Sequence, residues 1–184
     1  VSALLDKGFK VHVFDNLSTG NIKNIDLNKI KFYNVDLKKD IREWPKIKAS
    51  KIYHFAANAD VRFGLNHPSK DLEENTINTF HLLEAMRSVD VRNMIFASTG
   101  SVYGENKQIP TSESCPFPIQ TSLYGASKVA AESFISAFCE GYDFNIVACR
   151  FVSLMGPRYT HGHVYDFVKS LQKDPSILTI LGDG

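Results

Sequence analysis

Tyr124 and Lys128 stand four residues apart in "SLYGASK", residues 122–128, with a serine ahead of them and small residues between. If Ser122 or the residue before it caps a helix, the two side chains lie one turn apart on one face. A phenol has a pKa of about 10 and is a poor base at neutral pH. A nearby ammonium and a second cation on a bound ligand both favour the phenolate. Moving the pKa from about 10 to near 7 takes roughly 4 kcal/mol of differential stabilisation. Two desolvated cations within a few ångströms can supply that. Taken alone, the stretch fits a plainer description better: a helix start with a surface lysine and a half-buried tyrosine. The rest of the chain has to decide.

A second group of candidates sits where apolar runs stop. "FASTGSVYG", residues 96–104, carries a buried strand into small hydroxyl residues, and Thr99 there is placed to bond a substrate oxygen. The alternative is that Ser98 and Thr99 only satisfy backbone groups at the strand end. Asp15 closes the run "KVHVFD". An acid at that position in a dinucleotide-binding unit accepts hydrogen bonds from the adenosine ribose and repels a 2′-phosphate, which favours NAD over NADP. On local grounds an Asx-turn into "NLSTGN" explains Asp15 as well. The glycine-rich turn that would decide between them is expected just ahead of Val1. His161 and His163 form an H-x-H pair with no third ligand in view, so the segment reads as part of a substrate loop, with no metal site expected.

The elements that must position these residues follow from periodicity. Runs at 10–15, 31–36, 51–57, 93–99 and 144–151 read as strands, the last three apolar enough to be buried on both faces. Residues 40–48 form a short helical piece broken by Pro45. Residues 69–88, 124–140 and 164–173 read as amphipathic helices. This alternation predicts an α/β fold, a Rossmann-like doubly wound parallel sheet covered by helices on both faces. Ligands in such sheets bind beyond the carboxyl ends of the strands. That rule collects Asp15, Asp36, Ala56 and Ala57, Thr99 and the stretch after Arg150 on one rim. The irregular connection from Tyr103 to Thr121 is long enough to be functional in itself.

The chain has 184 residues, 22% of them charged and 43% hydrophobic, with a formal net charge of +1. That balance fits one good-sized soluble domain and argues against nucleic-acid or membrane-surface binding driven by bulk charge. Cys115, Cys139 and Cys149 are scattered, as reduced thiols in a cytoplasmic protein would be. The opening "VSALLDKG" reads as the middle of a helix and the closing "LTILGDG" as a strand and turn. The expectation is therefore a piece of a longer protein, lacking the first strand and glycine-rich loop of its sheet.

Seven blocks occur in order with sensible spacing: "VFDNLSTG", "KFYNVDL", "IYHFAANADVR", "FASTGSVYGE", "IPTSES" with its following prolines, "SLYGASK" with "AAE", and "RFVSLMGPR". Together they resemble the extended short-chain dehydrogenase/reductase family, most closely its NAD-dependent nucleotide-sugar 4-epimerases acting on UDP-glucose and UDP-galactose. The resemblance implies a cofactor domain over 1–152 and the beginning of a sugar-nucleotide region over 153–184. It makes Tyr124 the acid/base, and gives Lys128 the nicotinamide ribose and the task of lowering the tyrosine pKa. Thr99 becomes the group that bonds the sugar 4-oxygen. Asp15, Asn16, Leu17, Ser18, Thr19 and Gly20 would take the adenosine ribose, and Asp36 and Leu37 the adenine. Phe55, Ala56 and Ala57 would line the pyrophosphate and nicotinamide side, with Asn75 nearby.

The implied reaction removes the C4 hydride to NAD, lets the 4-keto sugar turn, and returns the hydride to the other face. Related dehydratases carry two acids after the threonine. Gly100 and Ser101 stand there here, which argues against water loss. Ser153 occupies a place where many epimerases have a substrate-binding asparagine, so the sugar remains open. Two alternatives stay with this reading: another nucleotide-sugar epimerase or oxidoreductase of the family, and a non-catalytic NAD-binding protein. The resemblance also implies a homodimer through helices 69–88 and 124–140.

Overall fold

In the computed structural model, which describes residues 1–158 and 162–180, the chain divides into two compact units, Val1–Arg150 and Phe151–Gly184. The first opens with helix α1 (Ser2–Asp6), and Gly8 leaves it at φ 78°, a left-handed turn that favours glycine. Strands β1 (Val11–Asp15) and β2 (Ile30–Asn34) pair in parallel, with Asp15 opposite Asn34. Strands β3 (Ile52–His54), β4 (Asn93–Thr99) and β5 (Asn145–Phe151) form a second sheet in the order β3-β4-β5. β3 and β4 are parallel, with Tyr53 opposite Ile95. The expected single sheet is thus two sheets among the described residues.

The helical region expected at 69–88 begins earlier and is not uniform. Helix α2 (Val61–Asn66), which periodicity did not indicate, is followed by α3 (Pro68–Asp71), a π-helical stretch over Leu72–Ile77, and α4 (Asn78–Ser88). Pro68 sits at the first turn of α3, where its missing N–H costs nothing. Helix α5 (Leu123–Tyr142) is longer than periodicity indicated: Ser122 caps it by accepting the Gly125 amide at 3.0 Å, and left-handed Asp143 ends it. The segment at 40–48 contributes only a single 3-10 turn, Ile41–Glu43, before Pro45.

The core joins Leu83 and Met86 of α4, Met94 and Phe96 of β4, and Ala131, Ile135 and Phe138 of α5 with Val91 and Phe144. Alternation along the strands sends Phe96, His54 and Ile146 towards it and leaves Tyr53 and Val147 41% and 56% exposed. The expectation that β3 and β5 are buried on both faces therefore fails. β5 is an outer strand of its sheet, where Ile146 packs against the helical core while Asn145, Val147, Ala148 and Phe151 are exposed. The second unit contains α6 (His163–Lys173), whose His163 ring meets the Phe167 ring edge-on.

Candidate functional site

β4 delivers Thr99 to its carboxyl end, and there the chain tightens at once into a 3-10 turn, Gly100–Tyr103. The Thr99 hydroxyl caps that turn, accepting the Ser101 amide at 3.1 Å and donating to Ser101 Oγ at 3.2 Å. The Tyr124 phenol, from the first turn of α5, lies close enough for the Thr99 hydroxyl to influence its titration. No carboxylate stands at 100 or 101, so the turn beside Thr99 carries hydroxyls only.

One turn further along α5, Lys128 is 2% exposed. Its ammonium donates to the Ala97 carbonyl at 2.9 Å and lies 4.8 Å from the centre of the Phe96 ring. Burial pulls its pKa down from 10.5 to about 8, and the Glu132 carboxylate partly opposes that. The phenol moves the other way: burial raises the Tyr124 pKa, the nearby Thr99 hydroxyl lowers it, and the Asp71 charge raises it. Sequence reasoning expected the lysine to depress the tyrosine pKa. Among the described residues, however, the ammonium is engaged by Ala97 and Phe96, and the phenol is held protonated. A further positive charge is needed before Tyr124 acts as a base near neutrality.

Beneath this pair lies a buried polar layer. Asn75, fully buried in the π-helical stretch, donates to Ser127 Oγ at 2.9 Å, and Ser127 donates to the Tyr124 carbonyl at 2.8 Å. Thr76 donates to the Ser127 carbonyl at 2.9 Å. Asp71 Oδ1 accepts from Asn58 at 2.7 Å and from Asn75 at 3.5 Å. The π-helical turn thus places two consecutive polar side chains against α5, which the 3.6-residue period alone would send apart. His54 of β3 is buried beside Phe96 and meets the Thr79 hydroxyl at 2.9 Å. Burial, and then the Lys128 charge, push its pKa down to about 3, so it is neutral.

The carboxyl ends of β1 and β2 hold the other candidates. Asp15 Oδ1 accepts the Leu17 amide at 2.7 Å, and Leu17 takes a left-handed φ of 56° as the chain turns through Asn16, Ser18 and Thr19. Gly20 returns so closely that a Cβ there would meet both Asp15 oxygens at 3.1 Å. The second carboxylate oxygen has no hydrogen bond among the described residues, which suits the vicinal diol of a ribose. Asp36 Oδ1 accepts the Lys38 amide at 3.0 Å, and the Leu37 carbonyl meets His81 Nδ1 of α4 at 2.9 Å. Lys38 reaches Glu73 and Glu74 at 3.8 Å. These contacts tie the β2 end to the helical stretch that carries Asn75.

Phe55 and Ala56 follow β3 in the open, 62% exposed in the case of Phe55, and Ala57 is half-buried. Ser153 falls in the second unit, where it is exposed. His161 lies outside the described residues. Among those described, no three His, Cys, Asp or Glu side chains cluster as metal ligands, and no helix is long and apolar enough to cross a membrane.

Sequence reasoning named Thr99 and Tyr124, which approach each other at the end of β4, and Lys128 one helical turn on, whose ammonium sits on the Ala97 carbonyl. It missed Asp71, Asn58, Ser127 and His54, which surround them. The signal for His54 was present, as a titratable residue inside the apolar run "KIYHFAA".

A family profile described as "NAD dependent epimerase/dehydratase family" matches residues 1–184. A UDP-glucose 4-epimerase of Lacticaseibacillus casei is 35% identical over 160 residues, 85% of this chain and 47% of that protein. A crystal structure of a UDP-galactose 4-epimerase superposes with a TM-score of 0.87 at 36% identity, over 95% of this chain and 58% of that one. The Thermus thermophilus UDP-glucose 4-epimerase in complex with NAD gives 0.82 at 33% identity, over 91% and 55%. The chain thus spans about half the length of the relatives it matches.

Proposed function

The chain belongs to the NAD dependent epimerase/dehydratase family, and from that premise we propose that the full-length protein interconverts the C4 epimers of a nucleotide sugar of the UDP-glucose and UDP-galactose kind. The observation that carries this reading is the approach of Thr99 and Tyr124, one helical turn from a buried Lys128, beside a turn that lacks carboxylates.

The residues present fit NAD. Asp15 offers a half-engaged carboxylate at the end of β1, closed in by the 16–20 turn, where it bonds ribose hydroxyls and repels a 2′-phosphate. Asp36 and Leu37 take the adenine, Phe55, Ala56 and Ala57 the pyrophosphate and nicotinamide side, and Asn75 braces the floor. When bound, NAD supplies acceptor and donor for the C4 hydride and a positive ring near the phenol.

Tyr124 then removes the proton of the 4-hydroxyl and later returns it. Thr99 holds the 4-oxygen in reach of the phenol. Lys128, charged below pH of about 8, bonds the nicotinamide ribose and adds its field to the site. Gly100 and Ser101 provide no acid or base for expelling water, so the reaction ends at epimerisation. Ser153, in the second unit, is a candidate for binding the sugar nucleotide. Helices α4 and α5 support a homodimer, since Ile77 beside α4 and Phe134 and Tyr142 on α5 are 38%, 42% and 44% exposed.

The test is product analysis with the full-length protein. UDP-glucose is expected to yield UDP-galactose, and Tyr124→Phe to abolish the conversion. Absence of UDP-galactose, together with no effect of Tyr124→Phe on any UDP-sugar, overturns the reading.

A further inference from the structure

Lys128 and Glu132 are one turn apart on α5, so the face that carries the candidate acid/base continues to a buried carboxylate, 8% exposed. That carboxylate is a junction. Its Oε1 takes the Ser98 hydroxyl in a short hydrogen bond, and Ser98 is the neighbour of Thr99. Both oxygens take the Arg150 guanidinium of β5, at 2.8 Å from Nη2 and 3.2 Å from Nε. Arg150 in turn grips the 103–121 connection. Nη1 donates to the Tyr103 hydroxyl at 2.9 Å and to the Glu113 carbonyl at 3.0 Å, and the guanidinium lies over the Tyr103 and Phe117 rings at 5.0 and 4.9 Å.

We propose that Glu132 is a positioning residue whose carboxylate locks the Thr99 strand end to the Tyr124–Lys128 helix and, through Arg150, fixes the 103–121 loop beside them. The proposal rests on the epimerase reading for its kinetic consequences, and on geometry alone for its structural ones. β4 meets this α5 side chain directly through Ser98, β5 meets it through Arg150, and the 103–121 loop is joined to it by way of Arg150. A shared carboxylate with both oxygens engaged sets their relative places more tightly than apolar packing does. Its charge has a second effect, because it opposes the burial that depresses the Lys128 pKa. The other groups around the ammonium are neutral His54 from β3, Tyr124 on its own helix, and Arg150 from β5, which is already paired with Glu132.

The test uses the full-length protein with Glu132→Gln and Arg150→Lys, conservative changes chosen so that both variants fold. Glu132→Gln is expected to keep its NAD content and KM, to lower kcat about tenfold, and to move the alkaline limb of the kcat profile to lower pH. In protein with 13C-labelled lysine side chains, the Lys128 pKa is expected to fall in the same variant. Arg150→Lys keeps the ion pair and loses the fork that holds the loop, so tryptic cleavage after exposed Lys107 is expected to accelerate several-fold. A folded Glu132→Gln protein with unchanged kcat, pH profile and Lys128 pKa overturns the proposal. So does a kcat loss that merely tracks lost NAD content or thermal stability. If the wild type epimerises no sugar, the epimerase reading fails separately, and the Lys128 titration and Lys107 cleavage still decide this one.

Discussion

Replacing Lys128 with methionine is expected to stabilise the fold while destroying activity. The ammonium is 2% exposed and its pKa falls from 10.5 to about 8, chiefly through burial. At about 1.36 kcal/mol per pH unit, that fall means the charged form destabilises the folded state by roughly 3 kcal/mol at neutral pH. Methionine has nearly the same length and no charge, and it forfeits the Ala97 hydrogen bond, worth about 1 kcal/mol net. The balance is a gain of about 2 kcal/mol at pH 7. The pH dependence carries a definite sign. Between pH 8 and 10.5 the unfolded lysine holds more protons than the folded one, so wild-type stability rises with pH across that window. The advantage of the variant must therefore shrink over the same window and give way above it to a deficit of about 1 kcal/mol, the lost hydrogen bond alone. Urea unfolding of cofactor-stripped wild type and Lys128→Met, at pH 7 and through the window, measures this, and taking the difference removes all shared titrations. The variant should unfold about 1 M later at pH 7, with turnover down at least 100-fold. A variant less stable than wild type at pH 7, or an advantage that persists unchanged to high pH, refutes the reasoning.

Gly64→Ala is expected to destabilise by about 2 kcal/mol or more, read as a lower urea midpoint, because its Cβ would lie 1.9 Å from buried Asp71 Oδ2. His54 should make wild type acid-sensitive: its folded pKa of about 3 lies below the ordinary 6.5, so its contribution is present above pH 6.5 and lost as pH falls towards 3. His54→Gln, which keeps a partner for Thr79, should lose less stability over that window in parallel acid titrations followed by circular dichroism. Thr99→Val is expected to lower kcat about 10- to 1,000-fold with little change in NAD binding, as removal of a single oriented hydroxyl does. Steady-state kinetics and an NAD titration check both halves of that statement.

The parts of this architecture that were legible in the sequence are those written in local patterns. The Ser122 cap and the Tyr124–Lys128 spacing specify a helix face, and the run "NMIFAST" specifies a buried strand ending on Thr99. What stayed hidden depends on long-range pairing. Ser127 reads locally as a small spacer, and its partners Asn75 and Thr76 lie 52 and 51 residues away. Asp71 sat unremarked in a helical pattern because nothing local tells a buried carboxylate from a solvated one. Helix α2 is short and contains Gly64, so periodicity could not find it, and the reason for that glycine lies on another helix. The open face of β5 escaped notice because apolar content alone does not reveal which side a helix will cover.

The central claim is a reversible oxidation at C4, and isotope retention tests it most directly. The full-length protein is given UDP-glucose carrying deuterium at C4, and the product is analysed by NMR and mass spectrometry. The expected result is UDP-galactose that keeps its deuterium at C4, with none released to water and no conversion by Tyr124→Phe. Deuterium appearing in the solvent, or a product altered at a carbon other than C4, would contradict it.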